Sequence, residues 1–357
     1  MIGTFTYVGL PAHVIFGAGA LDRLPHEVAR LGLERVLVLS TPEQASQGQK
    51  IAEGLGGRVA GIFAGARMHT PVDVTTMAVA EVAQRKADGI VAIGGGSTTG
   101  LAKAIAFRTD LPQIVIPTTY AGSEVTPILG ETRDGKKITQ RSLKVLPEVV
   151  IYDVDLTLDL PVALSVTSGL NAIAHAAEAL YSQQSNPVIS LMAEDGARAL
   201  VQALPGIIAN PADRSSREEA LYGAWLAGTC LGSVGMALHH KLCHVLGGAF
   251  DLPHAETHSV ILPHALAYNL SARVSASARH SLARVLGDDD PAQALYRFAA
   301  SLGAPMTLRE LGMPEDGIER AADLTMQHTY WNPRPVEHDA VARLLRRAWI
   351  GAAPETN

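Results

Sequence analysis

Apolar residues recur along this chain in two different rhythms. Up to about residue 155, short unbroken apolar runs alternate with segments whose apolar positions repeat every three to four residues. "RVLVLS" (35–40), "VAGIFAG" (59–65), "GIVAIGGGS" (89–97), "PQIVIPTT" (112–119) and "EVVIYDVDLT" (148–157) predict buried strands. Residues 41–55, 70–89 and 98–109 predict the helices between them, with Thr70 as cap and Pro71 at the first helical position of the second. Strands separated by helices predict a parallel sheet covered on both faces. From about Leu160 the pattern is helical throughout: 162–182, 186–208, 215–248 and 338–352 all carry Ala/Leu periodicity. The expected organisation is an α/β domain over 1–158 followed by an all-helical domain over 159–357.

Composition narrows the function classes. A chain of 357 residues with 47% hydrophobic content supplies two buried cores. Aromatics at 5% suit packed helices and buried strands better than a β-sandwich. A net charge of −6, with no basic tract, argues against a nucleic-acid partner. No run approaches the roughly 20 apolar residues that span a bilayer. Cys230 and Cys243 are too few for a disulfide framework, so a cytoplasmic protein with a small-molecule partner is expected.

Two loops follow successive predicted strands. Gly94, Gly95, Gly96 and Ser97 lie between a strand and a helix, where a phosphate can approach the backbone and meet free N–H groups. The run is neither G-x-G-x-x-G nor a Walker A loop. "IPTTYAGSEVTP" places Thr118, Thr119, Gly122, Ser123 and Thr126 where the carboxyl edge of the sheet would lie. Together they favour a bound dinucleotide over plain strand-to-helix turns. Thr41 and Glu43, after "VLVLS", give mixed hints for NADH against NADPH.

"ALHHKLCHVLGGAFDLPHAETHSVILPH" (237–264) is dense in histidine. His240 and His244 are one helical turn apart, as are Asn171 and His175 on an earlier segment. Gly247 and Gly248 are expected to break the helix, letting "FDLPH" bring His254 back to the others. His239, His258 and His264 read as structural or as supports behind the site residues. Near the C-terminus, "HTYWNPRP" puts Tyr330, Asn332 and Arg334 in a turn-rich segment, with Tyr330 a candidate substrate contact.

The motifs "GGGS" (94–97), "PTTYAGSEVT" (117–126), "NAIAHAAEALYS" (171–182) and "HHKLCHVLGGAFDLPH" (239–254) resemble those of the iron-containing (group III) alcohol dehydrogenases, nearly end to end. The resemblance implies a Rossmann-like N-terminal domain binding NAD(P) and an all-α C-terminal domain, the fold shared with dehydroquinate synthase. It implies a cofactor contact at Lys137 and a homodimer. The family's metal ligands, an Asp and three His, fall on Asn171, His175, His240 and His254. An amide is a weaker, neutral ligand than a carboxylate, and Gly100 stands where many members have Asp. Both departures resemble the maleylacetate reductase subgroup, in which a metal is not expected to be required.

An alcohol dehydrogenase stabilises an alkoxide, for which a metal lowers the pKa. Hydride addition to an enone gives an enolate, a weaker base that positioned donors can hold. A dicarboxylate substrate favours a positive pocket, which Lys241 and the imidazoles would supply. The expectation is therefore NAD(P)H-dependent reduction of a carbon–carbon double bond, with His240, His244, His254, His175, Asn171, Lys241 and Tyr330 as the catalytic set. The alternatives are a metal-dependent alcohol or polyol dehydrogenase and a dehydroquinate synthase-like lyase.

Overall fold

The computed structural model describes residues 4–10, 12–133, 136–327 and 329–355, the side chain of Lys136 apart. The chain divides into two compact units. One runs from Leu10 to Leu160; the other comprises the chain from Pro161 onward together with the N-terminal segment up to Gly9.

The first unit is built on β1 (His13–Gly17), β2 (Val36–Leu39), β3 (Val59–Phe63), β4 (Gly89–Gly94), β5 (Gln113–Pro117) and, after a hairpin of β6 (Ile128–Arg133) and β7 (Lys136–Arg141), β8 (Val149–Asp153). The sheet order is β1-β8-β5-β4-β2-β3, every pairing parallel. β2, β4, β5 and β8 are buried along their length, which is why they read as unbroken apolar runs. Helices α1 (Leu24–Arg30), α2 (Ala45–Leu55), α3 (Val72–Arg85) and α4 (Gly96–Thr109) connect strands within this unit. Separate apolar cores form around Val36, Val38 and Ile51 and around Leu37, Leu39 and Val74, so successive β2 side chains feed opposite faces. Beyond β3 the chain crosses to β4 on the far side of β2, putting the topological switch point between β2 and β4.

Two features lie outside the sequence-based alternation. β1 is a half-exposed edge strand, and the β6–β7 hairpin is antiparallel and studded with Gly and charged residues. Thr70 is not the cap of α3. Pro71 takes the cap position, while Thr70 sits in the left-handed region with φ 47°, its N–H bonded to the Arg67 carbonyl.

The second unit is all helix: α5 (Val162–Tyr181), α6 (Pro187–Ala209), α7 (Arg214–Ser233), α8 (Leu238–Phe250), α9 (His254–Leu270), α10 (Ala276–Leu286), α11 (Pro291–Ser301), α12 (Gly317–Met326) and α13 (His338–Ile350). The segment 215–248 is two helices, α7 and α8, meeting at a bend of 95°. Gly247 and Gly248 do not break α8. The helix runs on to Phe250 and turns at Asp251, which is left-handed with φ 54°. Glycine costs about 1 kcal/mol inside a helix, and the packing of Leu238, Leu242 and Leu246 in the core offsets it. No single helix among the described residues is long and apolar enough to cross a membrane.

Candidate active site

The sheet unit presents three turns at the carboxyl ends of adjacent strands. After β2, Thr41 leads to Gln44, the residue preceding α2, whose Nε2 donates to Thr118 Oγ1 at 2.9 Å. After β4, Gly94 ends the strand, Gly95 precedes α4, and Gly96 and Ser97 form its first turn, with no side chain capping the helix. Gly94 is there for two reasons. Its φ is 148°, and a Cβ would fall 2.4 Å from Thr98 Oγ1 and 2.7 Å from Gln44 Oε1. After β5 come Thr118 and Thr119, then Gly122 in the left-handed region and a short 3-10 turn, Ser123–Val125, ending at Thr126. Uncapped N–H groups and small hydroxyl side chains at a switch point suit a dinucleotide phosphate. Among the sequence-predicted cofactor contacts, Lys137 alone stands on the separate hairpin.

Gly100 also finds an explanation. A Cβ there would lie 2.2 Å from Thr70 Oγ1, so the left-handed Thr70 fills the space a side chain at position 100 would use.

In the helical unit, α5 is buried on every side from Ser165 to Tyr181. Each polar group on such a helix must find a partner or pay for lacking one. Glu178 is fully satisfied: it accepts from the Ala237 and His239 N–H groups at 2.9 and 3.0 Å, from His240 Nδ1 at 2.7 Å and from the Tyr181 hydroxyl at 3.2 Å. Burial works to raise its pKa. The hydrogen bond from His240, the neighbouring imidazoles of His240 and His239 and the Ala237 N–H outweigh burial and hold the carboxyl well below its usual range. An ionised carboxylate only accepts, so Nδ1 of His240 carries the proton and the buried Nε2 points away from Glu178. Glu178 thus joins α5 to the start of α8 and sets the orientation of His240.

Around this anchor the structure gathers six imidazoles. His175 stacks on His240 with ring centroids 5.1 Å apart, and His258 lies 5.1 Å from His240 and 4.4 Å from His254. His244 is 6.3 Å from His240 and 6.5 Å from His254. His239 Nε2 and His258 Nδ1 share a hydrogen bond of 2.9 Å, and Cys243 Sγ is 3.7 Å from His239 Nε2. His239, Cys243 and His258 are placed so that they could themselves hold an ion. His239 and His258 thus lie within the cluster, hydrogen-bonded to one another, while His264 lies elsewhere, on a cavity of about 80 Å³ shared with Arg334, Arg343 and Arg347.

The expected cationic pocket needs correcting. Burial, reinforced by neighbouring rings, pushes the pKa values of His175 and His258 well down and that of His239 to about 3, so these three are neutral at pH 7. Lys241 supplies a cation beside them; its Nζ donates to the Gln327 carbonyl and lies 5.7 Å over the Tyr330 ring. Tyr330 is half-buried, its phenol pushed up by burial and by the charge of Glu178. Asn332 Oδ1 accepts from the Leu238 N–H and so caps α8.

Five buried atoms in the cluster have no hydrogen-bond partner: Asn171 Oδ1, His175 Nδ1, His239 Nδ1, His240 Nε2 and His258 Nε2. Tyr330 Oη is a sixth nearby. So many orphaned acceptors and donors in one place make this the candidate ligand site. A sequence model described as iron-containing alcohol dehydrogenase matches residues 11–154, and one for the C-terminal part of that family matches 165–349. The chain belongs to the iron-containing alcohol dehydrogenase family. It is 56% identical to maleylacetate reductase of Rhizobium sp. (strain MTP-10005), over 98% of this chain and 99% of the relative. It is 55% identical to that of Sphingobium indicum, over 99% of both. The crystal structure of maleylacetate reductase from Agrobacterium tumefaciens superposes with a TM-score of 0.94 at 54% identity, covering 99% of this chain and 100% of that one.

As a member of the family the chain is an NAD(P)-dependent oxidoreductase, and the family typically binds a divalent metal. Asn171, His175 and His240 each offer an orphaned buried atom, so with His254 they fit such an ion, though with no carboxylate among the four. Sequence reasoning missed Glu178. Its signal was positional: three residues beyond His175 and seven beyond Asn171, it shares their face of α5.

Proposed function

We propose that the chain is a maleylacetate reductase, transferring hydride from NAD(P)H to the carbon–carbon double bond of maleylacetate and releasing 3-oxoadipate. Identity above 50% to reductases of that name along the whole chain supports this. So does Asn171, the observation that carries the reading: the buried position of the family's carboxylate ligand bears an amide whose oxygen is unpartnered. Removing that charge spares a dianionic substrate a repulsion.

The sheet-edge turns hold the dinucleotide through Gly94–Ser97 and Thr118–Thr126. The imidazole cluster, with Lys241 and Tyr330, holds the substrate. Hydride adds to the alkene carbon distal to the ketone; the electron pair moves to the ketone oxygen as an enolate, and the carbon beside the ketone then takes a proton. His240, His244 and His254 are the candidates to bind the enolate oxygen and to supply that proton. His240 suits the first task because Glu178 orients it and balances positive charge on its ring. A divalent ion, when held by Asn171, His175, His240 and His254, would polarise the same oxygen. We propose that turnover does not require it, since an enolate is far less basic than an alkoxide.

The test is NAD(P)H oxidation with maleylacetate after exhaustive chelation. Retained activity, with none on simple alcohols, is the expected result. Loss restored by Zn²⁺ or Fe²⁺, with alcohol oxidation, would instead establish a metal-dependent dehydrogenase, which the fit of the donor set favours. Turnover without net consumption of reduced nicotinamide would mean a lyase. Asn171→Asp should tighten Zn²⁺ binding, measured by competition with a chromophoric chelator, while lowering reductase activity.

A further inference from the structure

The most deeply enclosed cation among the described residues of the sheet unit has no part in the chemistry above. Lys103, two turns into α4, is 1% exposed. Its Nζ donates to the Ser123 carbonyl at 2.5 Å, the Thr126 carbonyl at 2.7 Å, Thr126 Oγ1 at 2.9 Å and the Ile128 carbonyl at 3.0 Å. An ammonium has three protons, so four oxygens around it form a closed cage with one bond shared. Three of the four are backbone, so the cage fixes the path of residues 123–128 whatever their side chains. Burying an ammonium is costly unless it is fully hydrogen-bonded. Burial draws this one down to about 7 while Glu124 opposes the shift.

Glu124 faces the same region from within the loop, its Oε1 accepting from the Tyr152 hydroxyl of β8 at 2.8 Å. Thr126 Oγ1 also donates to the Ser123 carbonyl at 2.9 Å. The loop is thus pinned from α4 on one side and from β8 on the other. α4 begins at the glycine turn, and the loop 118–126 follows the neighbouring strand β5. One lysine therefore ties together the two turns assigned to the dinucleotide.

We propose that Lys103 is a positioning residue for cofactor binding, setting the spacing between the Gly94–Ser97 turn and the Ser123–Thr126 loop without touching the dinucleotide. This rests on the dinucleotide reading of those turns. Lys103→Met keeps an unbranched side chain of nearly the same length and removes every donor. The expected result is an NADH Kd at least tenfold weaker, measured by fluorescence titration, with KM for maleylacetate at saturating NADH within twofold of wild type. Amide exchange should rise in 122–128 while that of β4 and β5 stays unchanged. Lys103→Gln, which keeps a neutral donor, should recover part of the affinity, and it carries the test on the same readouts if Lys103→Met does not fold. A folded variant with wild-type NADH affinity overturns the assignment. So does a loss of affinity accompanied by uniform exchange throughout the sheet, which would make Lys103 a general core element. Wild-type protein that binds neither NADH nor NADPH would refute the dinucleotide reading instead.

Discussion

The dinucleotide site proposed at the sheet edge consists of backbone N–H groups and small hydroxyls. The substrate site proposed in the helical unit consists of six imidazoles gathered around one carboxylate. The two regions differ in what their chemistry costs. A hydroxyl left without a partner at the sheet edge, such as that of Ser40, Thr98 or Ser123, can rotate toward an arriving ligand. The imidazole nitrogens of α5, α8 and α9 are fixed by helix packing and by Glu178. Burying them keeps several of them neutral and ready to accept, and it makes the helical unit sensitive to acid through its histidines.

The largest expected effect follows from that difference. His175, His239 and His258 have folded-state pKa values below the unfolded value of 6.5, so below pH 6.5 the unfolded chain binds protons that the folded chain refuses. Stability is full above pH 6.5 and falls as the pH drops, by up to about 1.4 kcal/mol per pH unit for each ring. Glu178 adds its own loss only below about pH 4.5, because its folded pKa is depressed from a carboxylate value. No histidine of the sheet unit is buried among the described residues. All three tryptophans, Trp225, Trp331 and Trp349, belong to the helical unit, so selectively excited tryptophan fluorescence reports its unfolding alone. Denaturation at pH 7.5, 6.0 and 5.0 followed by fluorescence should show steep acid weakening. A flat profile would mean that the cluster takes up protons freely and is not neutral.

Next in size is Glu178→Ala. It leaves the Ala237 and His239 N–H groups and His240 Nδ1 without an acceptor in a dry interior. Removing one member of a buried charged set costs about 3–5 kcal/mol, and losing the partner that orients a site imidazole costs roughly 10- to 100-fold in activity. Glu178→Gln separates the two effects. It should restore most of the stability but little of the activity, since a neutral amide does not balance positive charge on His240. Full activity in that variant would show that the carboxylate serves folding only.

What could be read in advance divides along the same line. The sheet announced itself because β2, β4, β5 and β8 are buried on both faces, and its ligand turns because Gly94–Ser97 and Thr118–Thr126 follow directly on strands. β1 and the β6–β7 hairpin escaped because partly exposed strands mix polar with apolar positions. In the helical unit, Asn171, His175, His240 and His254 were visible as one-turn pairs and as motif positions. Glu178, His239 and His258 were not, because contacts between α5, α8 and α9 are tertiary and no spacing within one helix encodes them. The burial that neutralises the rings was hidden for the same reason.

A smaller effect belongs to the sheet edge. Gly94→Ala forces a Cβ against Thr98 Oγ1 and Gln44 Oε1 at a backbone angle of 148° that alanine resists. Strain of this kind costs about 1–3 kcal/mol. It should raise the KM for the reduced nicotinamide several-fold and leave the acid sensitivity of the tryptophan signal untouched. If the fluorescence midpoint at pH 5 moved as well, the two regions would not be behaving independently.

The smallest effect is the most discriminating. The hydroxyl of Tyr330 is buried, with no hydrogen-bond partner among the described residues, above a ring that packs on the helical core beside Lys241. An unpaired buried hydroxyl costs free energy in the folded protein, so Tyr330→Phe should leave stability unchanged or raise it by up to about 1 kcal/mol. If that hydroxyl waits for a substrate carboxylate, the same variant should raise KM for maleylacetate while the KM for NADH stays put, an opposite sign in binding and in folding. A variant that is destabilised with unchanged KM would assign the hydroxyl to the scaffold and remove Tyr330 from the substrate site.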